Sequence, residues 1–266
     1  VSLIEPFLRI AIFFMGVTPV SAEASAELTV SAADLAPQWG RDPGIRRGRR
    51  AWIGGRPPWP PPHGTVDGVR MRDDALSIIV TGSSAALGMP GYLTWLRQEI
   101  DLSLRVLLTH SAERFLRREV AGWYADEVCV SDDPDLNPVE FARRSLGIVV
   151  LPATANVLAA TALGLGSSPA QTALLAATRP ALFFPAMNEV MWDKPVVRRH
   201  VETLRADGHT VVEPQRRPVF ELWQKENVLG IGMPEPEEAT ELIVAWLEVL
   251  LDSVGEEEAE TVTLNG

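Results

Sequence analysis

Two short polar turns carry the residues best suited to chemistry. Pro152-Ala153-Thr154-Ala155-Asn156 and Pro185-Ala186-Met187-Asn188 each place a carboxamide side chain just after an apolar run. Residues 147–151 and 181–184, which precede them, are apolar on both faces, as strands of a buried parallel sheet are. An Ala/Leu-rich helical run follows the first turn, and a second helix starts near Ala170 and stops at Arg179-Pro180. Both turns therefore fall on the same edge of a parallel sheet, the edge at which open α/β folds bind ligands. Thr81-Gly82-Ser83-Ser84-Ala85 follows a first strand at 75–80 and leads into a helix running to about Glu99. A small-residue loop at a helix N-terminus can cradle an anion through backbone N–H groups and the helix dipole. It can equally be an ordinary tight turn, and without a GxGxxG pattern nothing demands a dinucleotide. Thr109-His110-Ser111-Ala112 follows a second strand at 102–108 and opens a helix expected over 113–120, with Thr109 and Ser111 suited to N-capping. His110 is a lone histidine, a type more often found capping or at a surface than in catalysis.

The elements that must position these turns alternate regularly. Further strands are read at 127–130 and 210–212, and a short helix follows Asn137. A helix from Pro195 to about Asp207 carries a stripe of Val196, Val197, Val201 and Leu204, with Gly208 as its cap. Residues 215–233 read as a connector long enough to be a lid. A last helix starts near Pro236, with Leu242, Ile243, Trp246, Leu247 and Leu250 at core spacing. Strand–helix alternation from residue 75 predicts an α/β fold with a doubly wound parallel sheet, Rossmann-like or flavodoxin-like.

Composition bounds the rest. The chain has 266 residues, 46% of them hydrophobic, enough for one packed domain, and a net charge of −11 that argues against a nucleic-acid partner. The single cysteine, Cys129, excludes an intramolecular disulfide and a multi-cysteine metal site, and the four histidines lack metal-ligand spacing, so no metal is expected. The apolar run at 7–17 is too short to span a bilayer, so no membrane partner is expected, although it faintly resembles a signal peptide. Arg46-Arg47-Gly48-Arg49-Arg50 and the proline-rich 57–62 cannot bury much apolar surface. We therefore read 1–70 as a low-order extension, with Met71 as a natural start, 71–254 as the domain and 255–266 as a disordered acidic tail. A chain with one cysteine suits the cytoplasm.

Pro152-Ala153-Thr154-Ala155-Asn156-Val157 resembles a PASANT motif, and residues 185–192 resemble PxMNxxMW. Both belong to the homo-oligomeric flavin-containing cysteine decarboxylases, which include phosphopantothenoylcysteine decarboxylases and peptidyl-cysteine decarboxylases of the epidermin type. The resemblance covers roughly residues 75–236. It implies flavin mononucleotide (FMN) held by Gly82, Ser83, Ser84, Thr109, Ser111, Pro152, Ala153, Thr154 and Ala155. It implies Asn188 on the substrate carboxylate beside Met187, and Asn156 orienting substrate or flavin. It also implies trimers, or dodecamers built from them, with FMN at subunit interfaces.

The chemistry so implied is electronic. A plain α-carboxylate has no sink for the electrons left when CO2 departs. Oxidising the cysteine to a thioaldehyde, with hydride passing to the flavin, creates that sink. The favoured substrate is a ribosomally made precursor peptide ending in cysteine, and the product an enethiol for aminovinyl-cysteine formation. Two departures bear on this. Pro138 stands where the family places its general-base histidine, and proline cannot move a proton. Residues 215–233 also lack the cysteine that pantothenate-pathway relatives carry in this lid. The same-class alternative is phosphopantothenoylcysteine decarboxylase of coenzyme A biosynthesis. The alternative of another class is a non-catalytic flavin-binding partner subunit.

Overall fold

The computed structural model describes residues 75–264, with side chains described as far as Leu251. The extension at 1–70 and the start at Met71 lie outside the described residues.

Six parallel strands form the central sheet: β1 (Ala75–Val80), β2 (Ser103–Leu108), β3 (Glu127–Val130), β4 (Ser145–Ala153), β5 (Leu182–Pro185) and β6 (Thr210–Val211). Their order is β3-β2-β1-β4-β5-β6. The chain runs outward from β1 to β3 and returns to β4 beside β1. That makes the β1/β4 boundary the topological switch point, where the loops at the strands' C-terminal ends diverge and leave a crevice.

Side-chain alternation divides the core into two layers. Leu76, Ile78 and Val80 of β1 pack with Leu93 and Leu96 of α1 (Met89–Glu99) and with Ile243 and Leu247 of the last helix. Ile79, Ile148, Val150 and Phe183 face the other way, against α3 (Pro138–Arg143), α4 (Ala155–Ala162), α5 (Pro169–Ala176) and α7 (Pro195–Ala206). The short α2 (Arg118–Ala121) and α6 (Glu189–Trp192) complete the helices before α8 (Pro236–Leu264). Gly147 sits inside β4 because a Cβ there would come within 2.7 Å of the Trp246 ring of α8.

Polar side chains fix α3. Arg105 of β2 is 4% exposed. It donates to Glu127 at 3.0 Å and to the Phe141 carbonyl at 3.1 Å, and its guanidinium lies 4.5 Å from the Phe141 ring centre. Ser145 donates to the same carbonyl at 2.7 Å, so the buried Ser77 hydroxyl donates the 2.6 Å bond between the two serines.

Several expected elements need correction. β4 runs on through Pro152 and Ala153, which are buried strand residues rather than the opening of a turn. The helix expected over 113–120 is broken into a 3-10 turn at Ala112–Arg114 and α2, because Arg117 takes an extended conformation while Leu116 is buried in the core. Val196 is 46% exposed and does not belong to the buried stripe of α7. The connector at 215–233 is an antiparallel hairpin of β7 (Gln215–Glu221) and β8 (Glu226–Gly232). Its turn uses Lys225 at a positive φ of 58°. The acidic stretch after Gly255, expected to be disordered, continues α8, in keeping with the helix propensity of Glu and Ala.

Candidate active site

The residues singled out at the turns converge on the switch-point edge. Thr81 joins its two sides. Its backbone N–H donates to the Pro152 carbonyl at 3.3 Å, and its hydroxyl lies 2.8 Å from that oxygen. Its Oγ1 accepts from the Thr154 N–H at 3.0 Å. Thr154 is the whole turn between β4 and α4, and its hydroxyl oxygen caps that helix by accepting from the Val157 N–H at 3.4 Å. Ala155 and Asn156 are already in the first turn of α4, with Asn156 exposed at the edge.

The loop after β1 packs tightly on the loop after β2. A Cβ on Gly82 would lie 2.3 Å from the Ser111 Cβ, so only glycine permits this approach. Ser83 caps the 3-10 turn at Ser84–Gly88, its oxygen accepting from the Ala85 N–H at 3.3 Å, which leaves its proton to donate outward. Ser84 is exposed. Thr109 spends its proton on the Val80 carbonyl at 3.1 Å, a structural bond, whereas Ser111 makes no side-chain capping bond and is exposed. Ser83, Ser84 and Ser111 thus offer neutral hydroxyl donors around the close approach of Gly82 to Ser111. That donor set fits a phosphate monoester such as that of FMN.

Asn188 lies across the crevice at the end of β5. Its Oδ1 caps α6, accepting from the Val190 N–H at 2.9 Å. Its Nδ2 donates to Glu221 of the hairpin at 3.1 Å. Met187 is half-buried and packs against the second core layer. The acceptor of the Asn188 amide is thus a carboxylate, that of Glu221. Asn137 caps α3 by accepting from the Val139 and Glu140 N–H groups at 3.1 and 3.2 Å, with Pro138 at the first helical position. The helix is thus formed without the histidine.

Three other titratable groups are accounted for structurally. His110 is exposed and lies 3.0 Å from Asp132. With Glu113 they bring three potential ligand atoms within 4.8 Å of one another, a juxtaposition across two loops that sequence spacing does not reveal. Burial and the neighbouring Glu127 carboxylate push the Cys129 thiol up to about 11, so it is no thiolate nucleophile at neutral pH. His209 accepts from the Ala181 N–H at 2.9 Å through Nδ1, and burial lowers its pKa. It lines a cavity of about 470 Å³ with Arg179 and Gln171, at the sheet's amino-terminal edge, away from the turns.

The fold and the site define a class: a doubly wound α/β protein with a close-packed small-residue loop and a carboxamide paired to a carboxylate on one edge. The chain belongs to the Flavoprotein family, which matches residues 68–248. Among known proteins it is 32% identical over 172 residues to the mersacidin decarboxylase of a Bacillus species, covering 64% of this chain and 88% of that one. It is 36% identical over 121 residues to the coenzyme A biosynthesis bifunctional protein CoaBC of Bacillus subtilis, covering 42% of this chain and 29% of that one. Among solved structures, a variant of the peptidyl-cysteine decarboxylase EpiD complexed with the substrate peptide DSYTC superposes with a TM-score of 0.60 at 26% identity, covering 64% of this chain and 98% of that one. The FMN-dependent cysteine decarboxylase SpaF superposes with a TM-score of 0.54 at 31% identity, covering 65% and 98%. Among the described residues, no helix is long and apolar enough to cross a membrane.

Proposed function

We propose that this protein is an FMN-dependent decarboxylase acting on the C-terminal cysteine of a peptide. The observation that carries the reading is the Asn188 amide. Its oxygen is fixed by the helix cap, and its Nδ2 donors are turned outward onto a carboxylate. EpiD, matched over 98% of its length, is a peptidyl-cysteine decarboxylase, and the substrate peptide held by its variant, DSYTC, ends in cysteine.

FMN, when bound, supplies the hydride acceptor that a bare α-carboxylate needs. The chain's own residues do the rest by positioning. Ser83, Ser84 and Ser111 hold the phosphate end. Thr154 fixes the start of α4, from which Asn156 reaches toward the ligand edge. Asn188 orients the substrate through its carboxylate, and Met187 packs beside it. Holding the reacting carbon in line is worth far more than one proton transfer, which typically contributes about 10²–10⁴-fold. That allows activity with Pro138 in the base position. The thiol proton then leaves to solvent, helped by an ordinary cysteine pKa of about 8.5.

The same reading includes a homo-oligomer, a trimer or an assembly of trimers, that places FMN between subunits. Leu87, Val190 and Met191 stand 62%, 66% and 46% exposed in the loop and helix that follow β1 and β5, apolar surface that a neighbouring subunit would cover. Action in the cytoplasm, where its peptide is made, belongs to this reading too.

A second reading, phosphopantothenoylcysteine decarboxylation, is favoured by the local identity to CoaBC. The hairpin at 215–232 contains no cysteine, which fits a product left as an enethiol and favours the peptide. The test is a direct choice. Holoenzyme offered a cysteine-terminated peptide and phosphopantothenoylcysteine at equal concentration should release CO2 from the peptide. Turnover of the pantothenate substrate alone would assign the second reading.

A further inference from the structure

We propose that Glu221 is a built-in competitor for the substrate's terminal carboxylate. In the free protein it occupies the Asn188 amide, and substrate binds by exchange with it. The proposal rests on the reading of Asn188 as the carboxylate subsite.

Asn188 has only its Nδ2 donors to give, because Oδ1 is committed to the Val190 N–H. Glu221 takes that amide at 3.1 Å and also accepts from the Trp223 indole N–H at 2.9 Å. Two carboxylates on adjacent hydrogens of one amide would lie a few ångströms apart and repel. Substrate and Glu221 therefore cannot share the group.

The hairpin is built for such an exchange. Its root is tied down: Gln215 pairs with Glu238, and Arg217 pairs with Glu235 and donates to the Met233 carbonyl at 2.7 Å. Arg216 of the root also pairs with Glu189 of α6; farther out, the described polar contact with the α6 turn is Asn188–Glu221. Phe220, Leu222 and Trp223 near the tip are 57%, 58% and 78% exposed, so no tight apolar packing locks it. Glu221 also stands directly opposite Glu226 in the register. Like charges facing across a strand pair repel. This favours Glu221 seeking the Asn188 and Trp223 donors while no substrate is bound.

The experiment uses the full-length, FMN-loaded protein and two pentapeptides of identical sequence ending in cysteine, one a free acid and one a carboxamide. Equilibrium binding is measured for wild type, Glu221→Ala and Glu221→Gln, with flavin absorbance confirming an intact site. In Glu221→Ala the free acid should bind about tenfold tighter, as for a subsite that is otherwise free about a tenth of the time. The carboxamide should bind equally to all three proteins. Glu221→Gln, a neutral competitor of the same shape, should fall between, and it serves as the test if the alanine variant loses flavin. Wild type preferring the acid, with that preference unchanged or weakened in the variants, overturns the role of Glu221 alone. Equal binding of acid and carboxamide by every protein overturns both this proposal and the Asn188 subsite.

Discussion

Asn188 combines a structural and a chemical role in one carboxamide, and substitution can separate them. Asn188→Asp keeps an oxygen to cap α6 but loses the Nδ2 donor and faces the Glu221 carboxylate. Decarboxylation should fall by about a hundredfold or more with FMN retained, since a lost charge-assisted hydrogen bond is compounded by repulsion. Steady-state rates alongside flavin occupancy check this; full activity would remove Asn188 from the site. The phosphate cradle is better tested at Ser84 than at Gly82. Any side chain at Gly82 collides with Ser111, so flavin loss there would report packing. Ser84→Glu adds only a charge at an exposed position, and FMN retention after gel filtration should drop at least about tenfold. Unchanged occupancy would move the cradle elsewhere. Pro138→His restores an imidazole on a helix that Asn137 already caps, and should raise the neutral-pH rate by roughly 10²-fold at most. His110→Ala should retain most activity, and its complete inactivity with FMN bound would make His110 the substitute base.

At the scale of elements, buried polar groups decide which helices hold the site in place. Truncating Arg105 removes two hydrogen bonds, one to the Phe141 carbonyl of α3 and one to Glu127 of β3, and leaves Glu127 without its closest cation. Arg105→Ala should cost about 2–4 kcal/mol, read as the shift in a urea midpoint. His209 gives the pH dependence of stability. Its folded pKa lies below the ordinary 6.5, because burial disfavours the charged ring. The unfolded chain therefore binds the extra proton first. Stability contributed by the neutral ring is complete above about pH 6.5 and is lost as pH falls through the folded value. Protonation would also cost the bond from the Ala181 N–H. Urea midpoints between about pH 7.5 and about pH 5.5 should fall in wild type and fall less in His209→Asn; parallel curves would contradict the assignment.

Strand periodicity and the Asn137 cap made the sheet, its switch-point edge and α3 legible from the residues alone. The hairpin was harder to see. Its alternation is interrupted by Pro218 and by Gly230 and Gly232, which are there to admit Val219 and Arg217 across the strand pair. The break at Arg117 carries no proline or glycine signal, because burial of Leu116 overrides local propensity. The Asn188–Glu221 contact joins residues 33 apart through a hairpin that spacing does not reveal.

In the whole molecule a flavoprotein fold carries an amide proposed to hold the substrate carboxylate, with Pro138 in the base position. The purified protein should be yellow, with FMN near one per chain. The most direct test is the intact mass of a cysteine-terminated peptide before and after incubation with FMN-loaded protein. The account predicts a loss of about 46 Da, the mass of CO2 and two hydrogen atoms, confined to the C-terminal residue and faster as pH rises toward the thiol pKa. An unchanged mass for every cysteine-terminated peptide, with flavin bound and the fold intact, would contradict it and leave a flavin-binding partner subunit as the function.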